Sequence, residues 1–206
     1  MEMPDKSLTG REFEVLIEDR GLTYKERGAL LVKKFGVQTM TEIVFGKRSI
    51  REIKSLPDYD MTLPPFGRQI VIEAKVCSQS SFTLSEYVWE GVRSGAKARQ
   101  LKVMLDKSRY GAICGFLLHF NARATEKTKK QFAAVTYLFP VHNEMEFWIQ
   151  FSAKEKKSIS LSDCERIGVR VVWDRIGQER TLRPDYLQAI QELISQSYLH
   201  EFARGT

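Results

Sequence analysis

The chain has 206 residues, 43% of them hydrophobic, which allows one substantial core and is too short for several independent domains. Lys and Arg total 32 against 26 Asp and Glu, and the formal charge of +6 favours a polyanionic partner such as nucleic acid. Cys77, Cys114 and Cys164 are odd in number and form no C-x-x-C pair, and His119, His142 and His200 do not recur at i, i+3 or i+4. Disulfide frameworks and cysteine- or histidine-built metal sites are therefore not expected.

Apolar residues Phe13, Leu16, Ile17, Tyr24, Leu31 and Phe35 recur at three, four or seven, and predict one amphipathic helix from Gly10 to Phe35 with Thr9 as N-cap. Gly21 and Gly28 weaken that helix without ending it. QTMTEIVF reads as a strand, and KRSIREIKSL as a short basic segment with no assigned structure. RQIVIEAKV is rich in β-branched residues; its period of two sends Ile70, Ile72 and Ala74 to one face and Val71, Glu73 and Lys75 to the other. SEYVWEGVRSGAKARQLKVMLDKS is predicted helical, with Val88, Val92, Leu101, Met104 and Leu105 on its apolar side. GAICGFLLHF has the continuous apolar run of a fully buried strand. QFAAVTYLFP, EFWIQF, KSISL and VRVVW are read as further strands, and RPDYLQAIQELISQSYL as a closing helix with Pro184 in its first turn. This order predicts an α/β fold, a mixed central sheet flanked by helices, in a single domain. MEMPDKSLTG has no apolar signal core, and the longest apolar run is about half the length of a membrane helix, so a soluble, cytoplasmic protein without membrane contact is expected.

PDYDMTLPPFGRQIVIEAK poses a chemical question, because an unpaired charge in a buried strand costs several kcal/mol. Asp58 at a turn and Glu73 on a strand, joined by a hairpin-sized loop, can converge on one divalent cation with Lys75 one pleat beyond. Hard oxygen ligands suit Mg²⁺ or Mn²⁺. Such an ion polarises a phosphoryl oxygen and acidifies water, while an adjacent ammonium stabilises developing negative charge or orients the attacking water. The other reading of these residues is a turn acid beside an i, i+2 salt bridge on a strand.

Pro57-Asp58 followed by Glu73-Ala74-Lys75 resembles the PD-(D/E)xK nuclease superfamily, and the flanking text resembles the RecU family of Holliday-junction resolvases over most of the chain. The resemblance rests on FE within the first helix, KRS at 47 to 49, DY at 58 to 59, EAK at 73 to 75, SSFTL, RQ at 99 to 100, KSI at 157 to 159 and RPDYLQAIQEL, in that order. It implies a restriction-endonuclease-like fold and a Mg²⁺- or Mn²⁺-dependent endodeoxyribonuclease that cuts branched, four-way DNA as a homodimer. It further implies Asp58, Glu73 and Glu14 as metal ligands or their support, Lys75 as the catalytic lysine, and Gln100 near the site. Glu12 lies two residues from Glu14 and points elsewhere on a helix. Asp60 is the second candidate for the aspartate. The family's protruding stalk is longer than the basic segment at about 46 to 56, its EAKE is EAKV here, and its His before the helix Gln is Arg99.

Arg93, Lys97, Arg99 and Lys102 recur at helical spacing and are open to two readings, DNA-backbone contact or a solvated basic face. Lys47 and Arg48 join Gln100 as further candidate DNA contacts. GVRSGAKAR lacks the spacing and the K-[ST] ending of a phosphate-binding loop, so no nucleotide cofactor is expected. RATEKTKKQ reads as an exposed loop, and Trp89, Trp148 and Trp173 as core residues. Two competing functions remain open: a DNA-binding recombination accessory without catalysis, and a nuclease of the same superfamily acting on linear duplex, flap or foreign DNA.

Overall fold

The computed structural model describes residues 7–35, 38–44, 47–53, 56–87, 95–124, 131–175 and 181–204, with only the backbone described for 38–44, 47–53, 96, 124, 131 and 197–204. Helix α1 (Gly10–Glu26) opens on a capping box, in which Thr9 Oγ1 accepts from the Glu12 N–H and the Glu12 carboxylate accepts from the Thr9 N–H. It is shorter than expected. Arg27 caps it and Gly28 takes φ +63°, a left-handed conformation suited to glycine, so Leu31 and Phe35 leave the helix. Strand β1 (Leu31–Lys34) then runs back beneath the helix. Gly21 makes this possible, since a Cβ there would lie 3.0 Å from the Val32 side chain and 3.1 Å from the Tyr186 hydroxyl.

Among the described residues, strands β2 (Gln38–Val44) and β3 (Lys47–Ile53) pair only with each other, antiparallel, with Val44 opposite Lys47. The basic segment is thus the second strand of this pair. Strands β4 (Tyr59–Leu63), β5 (Arg68–Cys77), β7 (Ile113–Phe120), β10 (Val135–Pro140), β12 (Val169–Arg175) and β13 (Leu182–Asp185) join β1 in one seven-stranded sheet, ordered β1-β4-β5-β7-β10-β12-β13. Only β5 and β7 pair in parallel; the other neighbours are antiparallel. The protein is therefore a mixed α/β fold, as its sequence predicts.

Period two along β5 is realised on both faces. Ile70, Ile72 and Ala74 join α1 and α5 (Tyr186–Arg204) in a core that includes Phe13, Ile17, Leu117, Trp173 and Ile190. Val71 and Cys77 join the opposite core, with Phe116, Leu118 and Phe139 under α2 (Ala96–Arg109), α3 (Glu146–Ser152) and α4 (Leu161–Ile167). Short strands β6 (Ser81–Thr83) and β11 (Ser158–Ser160) pair beside this second layer, and β8 (Arg123–Ala124) pairs with β9 (Gln131–Phe132).

Several expectations are corrected. The predicted helix after SSFTL is a 3₁₀ turn at Ser85–Tyr87 and then α2, which starts after Gly95; Val88, Trp89, Val92 and Arg93 fall outside the described residues. QFAAVTYLFP divides into β9 and β10. EFWIQF is α3, not a strand: Trp148 is 1% exposed and Ile149 56%, so the helical facet Phe147, Trp148, Phe151 defeats the alternation. KSISL ends in α4, where Ser160 and Asp163 form a second capping box. Pro184 sits in β13, opposite Trp173 on the sheet edge where a missing N–H is tolerated, and the Asp185 carboxylate accepts from the Gln188 N–H at the start of α5. RATEKTKKQ contributes β8 and the start of β9, with its centre outside the described residues. All three cysteines are free and buried. Trp148 and Trp173 are core residues, and no helix among the described residues is long and apolar enough to cross a membrane.

Candidate active site

Antiparallel pairing of β4 with β5 sets Tyr59 opposite Ile72, which brings Asp58, one residue earlier, beside Glu73. Two backbone hydrogen bonds lock the pair: the Asp58 N–H donates to Glu73 Oε2 (3.1 Å) and the Ala74 N–H donates to Asp58 Oδ2 (2.9 Å). Lys75, on the Glu73 face, places Nζ 2.6 Å from Glu73 Oε1 and 3.2 Å from Asp58 Oδ2. Asp58, Glu73 and Lys75 thus converge on one point at the end of β4, and one cation already lies between the two carboxylates.

Burial is uneven. The Glu73 side chain is 1% exposed, whereas Asp58 and Lys75 are 23% and 26% exposed. Burial pushes the Glu73 carboxyl up to about 7, against the lowering effect of Lys75, and the neighbouring Asp58 charge adds to the rise. Burial alone would lower the Lys75 ammonium, but Glu73 and Asp58 outweigh it and its pKa is raised. Lys75 is therefore a cation at neutral pH.

Two residues that the sequence reading passed over support this arrangement. Tyr87, 2% exposed at the end of the 3₁₀ turn, donates its hydroxyl to Glu73 Oε1 at 3.4 Å, and its ring packs edge-on against Phe82 and Phe116. Burial and then the Glu73 charge raise its pKa strongly, so it stays a protonated donor. Tyr59, fully buried, reaches towards the Glu14 carbonyl (3.4 Å) and is the bridge from α1 to the site. An Tyr-to-acid pairing needs the β6 turn to be seen in place, so no local spacing reveals Tyr87.

Glu14 is not gathered with Asp58 and Glu73. Its carboxylate and that of Glu18, one turn on, share Lys34 Nζ of β1 at 2.8 and 2.6 Å. Glu12 is spent on the helix cap. Asp60 lies on the Glu73 face of the sheet, one pleat from Asp58, and accepts from Gln69 Nε2 at 2.9 Å. Gln100 does reach the site: 6% exposed, it donates to the Leu56 carbonyl at 2.8 Å and ties α2 to the turn that carries Asp58. That amide, also a candidate DNA contact, is engaged inside the protein. Lys97 pairs with Glu86, and Lys102 with Asp106 at 2.6 Å, so two members of the basic stripe have acidic partners. Arg99 is exposed. Arg93 and the side chains of Lys47 and Arg48 lie outside the described residues.

The donor set fits a hard divalent cation in type, since two carboxylates already face one positive charge, Lys75 Nζ. Asp58 and Glu73 would hold it. Among the described residues no cluster of three or more His, Cys, Asp or Glu side chains is placed to bind one ion. No protein-family model matches the chain, and no curated protein matches it.

Proposed function

We propose that the chain is a metal-dependent endodeoxyribonuclease of the PD-(D/E)xK, restriction-endonuclease-like type, acting on branched DNA, Holliday junctions above all, as a homodimer. The observation that carries the reading is the meeting of Asp58, Glu73 and Lys75 within 3.2 Å contacts, from a turn and a strand fifteen residues apart, with Glu73 almost fully buried. A structural salt bridge does not need a carboxylate forced upward in pKa, whereas groups arranged for chemistry commonly carry such a shift.

When bound, Mg²⁺ or Mn²⁺ supplies Lewis-acid polarisation of the phosphate and acidifies water. The protein's own residues do the rest. Asp58 and Glu73 present negative oxygens at fixed spacing, because each is held by a backbone N–H of the other segment. Lys75, charged and held between them, stabilises negative charge developing on the phosphoryl oxygens or orients the attacking water. Gln100 and Tyr87 fix the two carboxylate-bearing segments, one through the Leu56 carbonyl and the other through Glu73 Oε1. Glu14, held on α1 by Lys34, is proposed as outer support.

Replacing Lys75 by Ala is expected to lower four-way junction cleavage in Mg²⁺ by about 10²–10³. Cleavage at the wild-type rate by that variant would falsify the assignment. Comparison of a junction with linear duplex and single strand separates a resolvase from a nuclease acting on ends, flaps or foreign DNA. A second reading has one observation in its favour: Lys75 bridges both carboxylates without any metal, as a purely structural triad would. A protein that binds DNA but cuts nothing with any divalent ion would be the recombination accessory instead.

A further inference from the structure

A shallow surface pocket of about 470 Å³ opens at the far end of α2, lined by Arg68 and Gln69 of β5, Gly67 of the β4–β5 turn, and Lys107, Tyr110 and Gly111 at the helix terminus. Its make-up is unusual for a solvated rim. The Tyr110 side chain is 91% exposed, and Phe66, next to Gly67, is 94% exposed. Exposed aromatic rings beside two cations match what an unpaired nucleic-acid strand requires, a face for a base to stack on and charge for its phosphates.

The pocket and the carboxylate site lie at opposite ends of α2 and of the same stretch of β5. Gln100, Val103 and Lys107 are spaced by three and four residues, one stripe along α2, and Tyr110 is the helix's C-cap. Gln100 touches Leu56 at the site end, and Tyr110 stands about 15 Å away along the helix. Lys107 Nζ lies 5.8 Å from the Phe35 ring, and the Phe35 N–H donates to the Asp58 carbonyl. Along the sheet the same interval is spanned by Asp60 and Gln69, which bond to each other beside the pocket.

We infer that this pocket is a subsite for an unpaired DNA strand leading away from the cleavage centre, with Tyr110 stacking on a base and Lys107 and Arg68 facing phosphates. The inference rests on the nuclease reading and narrows it. A site that grips single strand beside the cut favours substrates with an unstacked or splayed strand, such as the open centre of a branch or a flap.

The test measures binding of a labelled oligothymidylate of about ten nucleotides, within the range such surfaces cover, by fluorescence anisotropy in EDTA so that no cleavage intrudes. Tyr110→Ala is expected to weaken binding about tenfold and Tyr110→Phe to leave it unchanged. Lys107→Gln should reduce the salt dependence by about one phosphate contact. Duplex of equal length should respond to Tyr110→Ala far less. Thermal melting checks folding, which so exposed a ring does not govern. Wild-type affinity in Tyr110→Ala, equal loss on duplex, or no single-strand binding by the wild type would each overturn the inference. Cleavage is scored separately: a protein that cuts DNA yet ignores Tyr110→Ala loses this subsite and keeps the nuclease, whereas one that binds through Tyr110 and never cuts does the reverse.

Discussion

Two clusters in the fold are assembled from the same parts, one cation between two carboxylates with a tyrosine hydroxyl alongside, yet they differ in which member is buried. In the first, Arg20 of α1 is 5% exposed and reaches Asp174 of β12 (3.1 Å) and Asp185 of β13 (3.2 Å), while its Nε donates to the Tyr24 hydroxyl (2.9 Å). The carboxylates there are 43% and 23% exposed. Burial would lower the Arg20 pKa, but Tyr24, Asp174 and Asp185 raise it, so the guanidinium stays charged. In the second, the carboxylate of Glu73 is the buried member, and it is held against its preference for neutrality. A planar guanidinium fork fastens α1 to the sheet edge; a compact ammonium bridges a buried acid and a partly exposed one. The first arrangement buries the cation and leaves its acids half-exposed, whereas the second buries an acid and leaves its cation half-exposed.

The sharpest way to break that comparison is Glu73→Gln. If Glu73 is a metal ligand, cleavage falls by about 10²–10³, while the melting temperature holds or rises because a disfavoured buried charge is gone. Added Mg²⁺ should stabilise the wild type, by about 1.4 kcal/mol at ten times its dissociation constant, and leave the variant unmoved. A lowered melting temperature with cleavage intact would invert the two clusters' roles. Next in size, Arg20→Met should cost about 3 kcal/mol in urea unfolding, because Asp185 and Tyr24 lose the partner around which they are built. Its cleavage per folded molecule should match the wild type.

Much of this was legible in the sequence where one periodicity dominated. β5 alternates as read, because each of its faces meets a separate core, and the same alternation placed Glu73 and Lys75 together. The convergence with Asp58 was legible because a hairpin forces the two segments side by side. Legibility failed where tertiary contacts arbitrate. Leu31 and Phe35 continue the helical stripe of α1, and only the left-handed turn at Gly28 removes them from it. EFWIQF fits either period until Trp148 donates its indole N–H to the Pro140 carbonyl and fixes the helix. Pro184 suits a helix start as well as an edge strand, and pairing with Trp173 decides. Glu14 lay on the right element, but the sequence could not show that Lys34, brought near by β1, takes its carboxylate. Tyr87 carried no signal at all, since an isolated tyrosine in a polar turn has no period.

His119 supplies a third, pH-dependent contrast in the same sheet. It is 2% exposed, its ring tilted against those of Phe13 and Trp173, with Nδ1 2.9 Å from Thr136 Oγ1, and burial lowers it to about 4. Its folded pKa lies below the unfolded value, so the folded state binds fewer protons and stability is lost as pH falls through about 6.5 towards 4. Glu73 has the opposite sign, gaining protons in the folded state below about 7 and so partly masking the loss. Comparing urea midpoints of wild type and His119→Gln at pH 7 and pH 5 isolates the histidine. The wild type should lose roughly 2 kcal/mol relative to the variant over that interval. Parallel pH profiles would show that the ring takes up its proton equally in the folded and unfolded states.

The smallest effects come from the two tyrosines, and here the contrast between the clusters is cleanest because each substitution removes one oxygen. Tyr24 donates to Asp185 at 2.7 Å and accepts from Arg20 at 2.9 Å, so Tyr24→Phe strips one charge-assisted bond from a buried guanidinium and one from a carboxylate, and should cost about 1–2 kcal/mol of stability. Tyr87 makes a single long bond of 3.4 Å, and its ring stays packed in Tyr87→Phe, so stability should change by no more than about 0.5 kcal/mol. What Tyr87→Phe should change is the rate, a few-fold at saturating Mg²⁺, because Glu73 Oε1 keeps Lys75 but loses the hydroxyl that fixes its angle. A Tyr87→Phe protein that melts several degrees lower with an unaltered rate would place its hydroxyl with that of Tyr24, as scaffold.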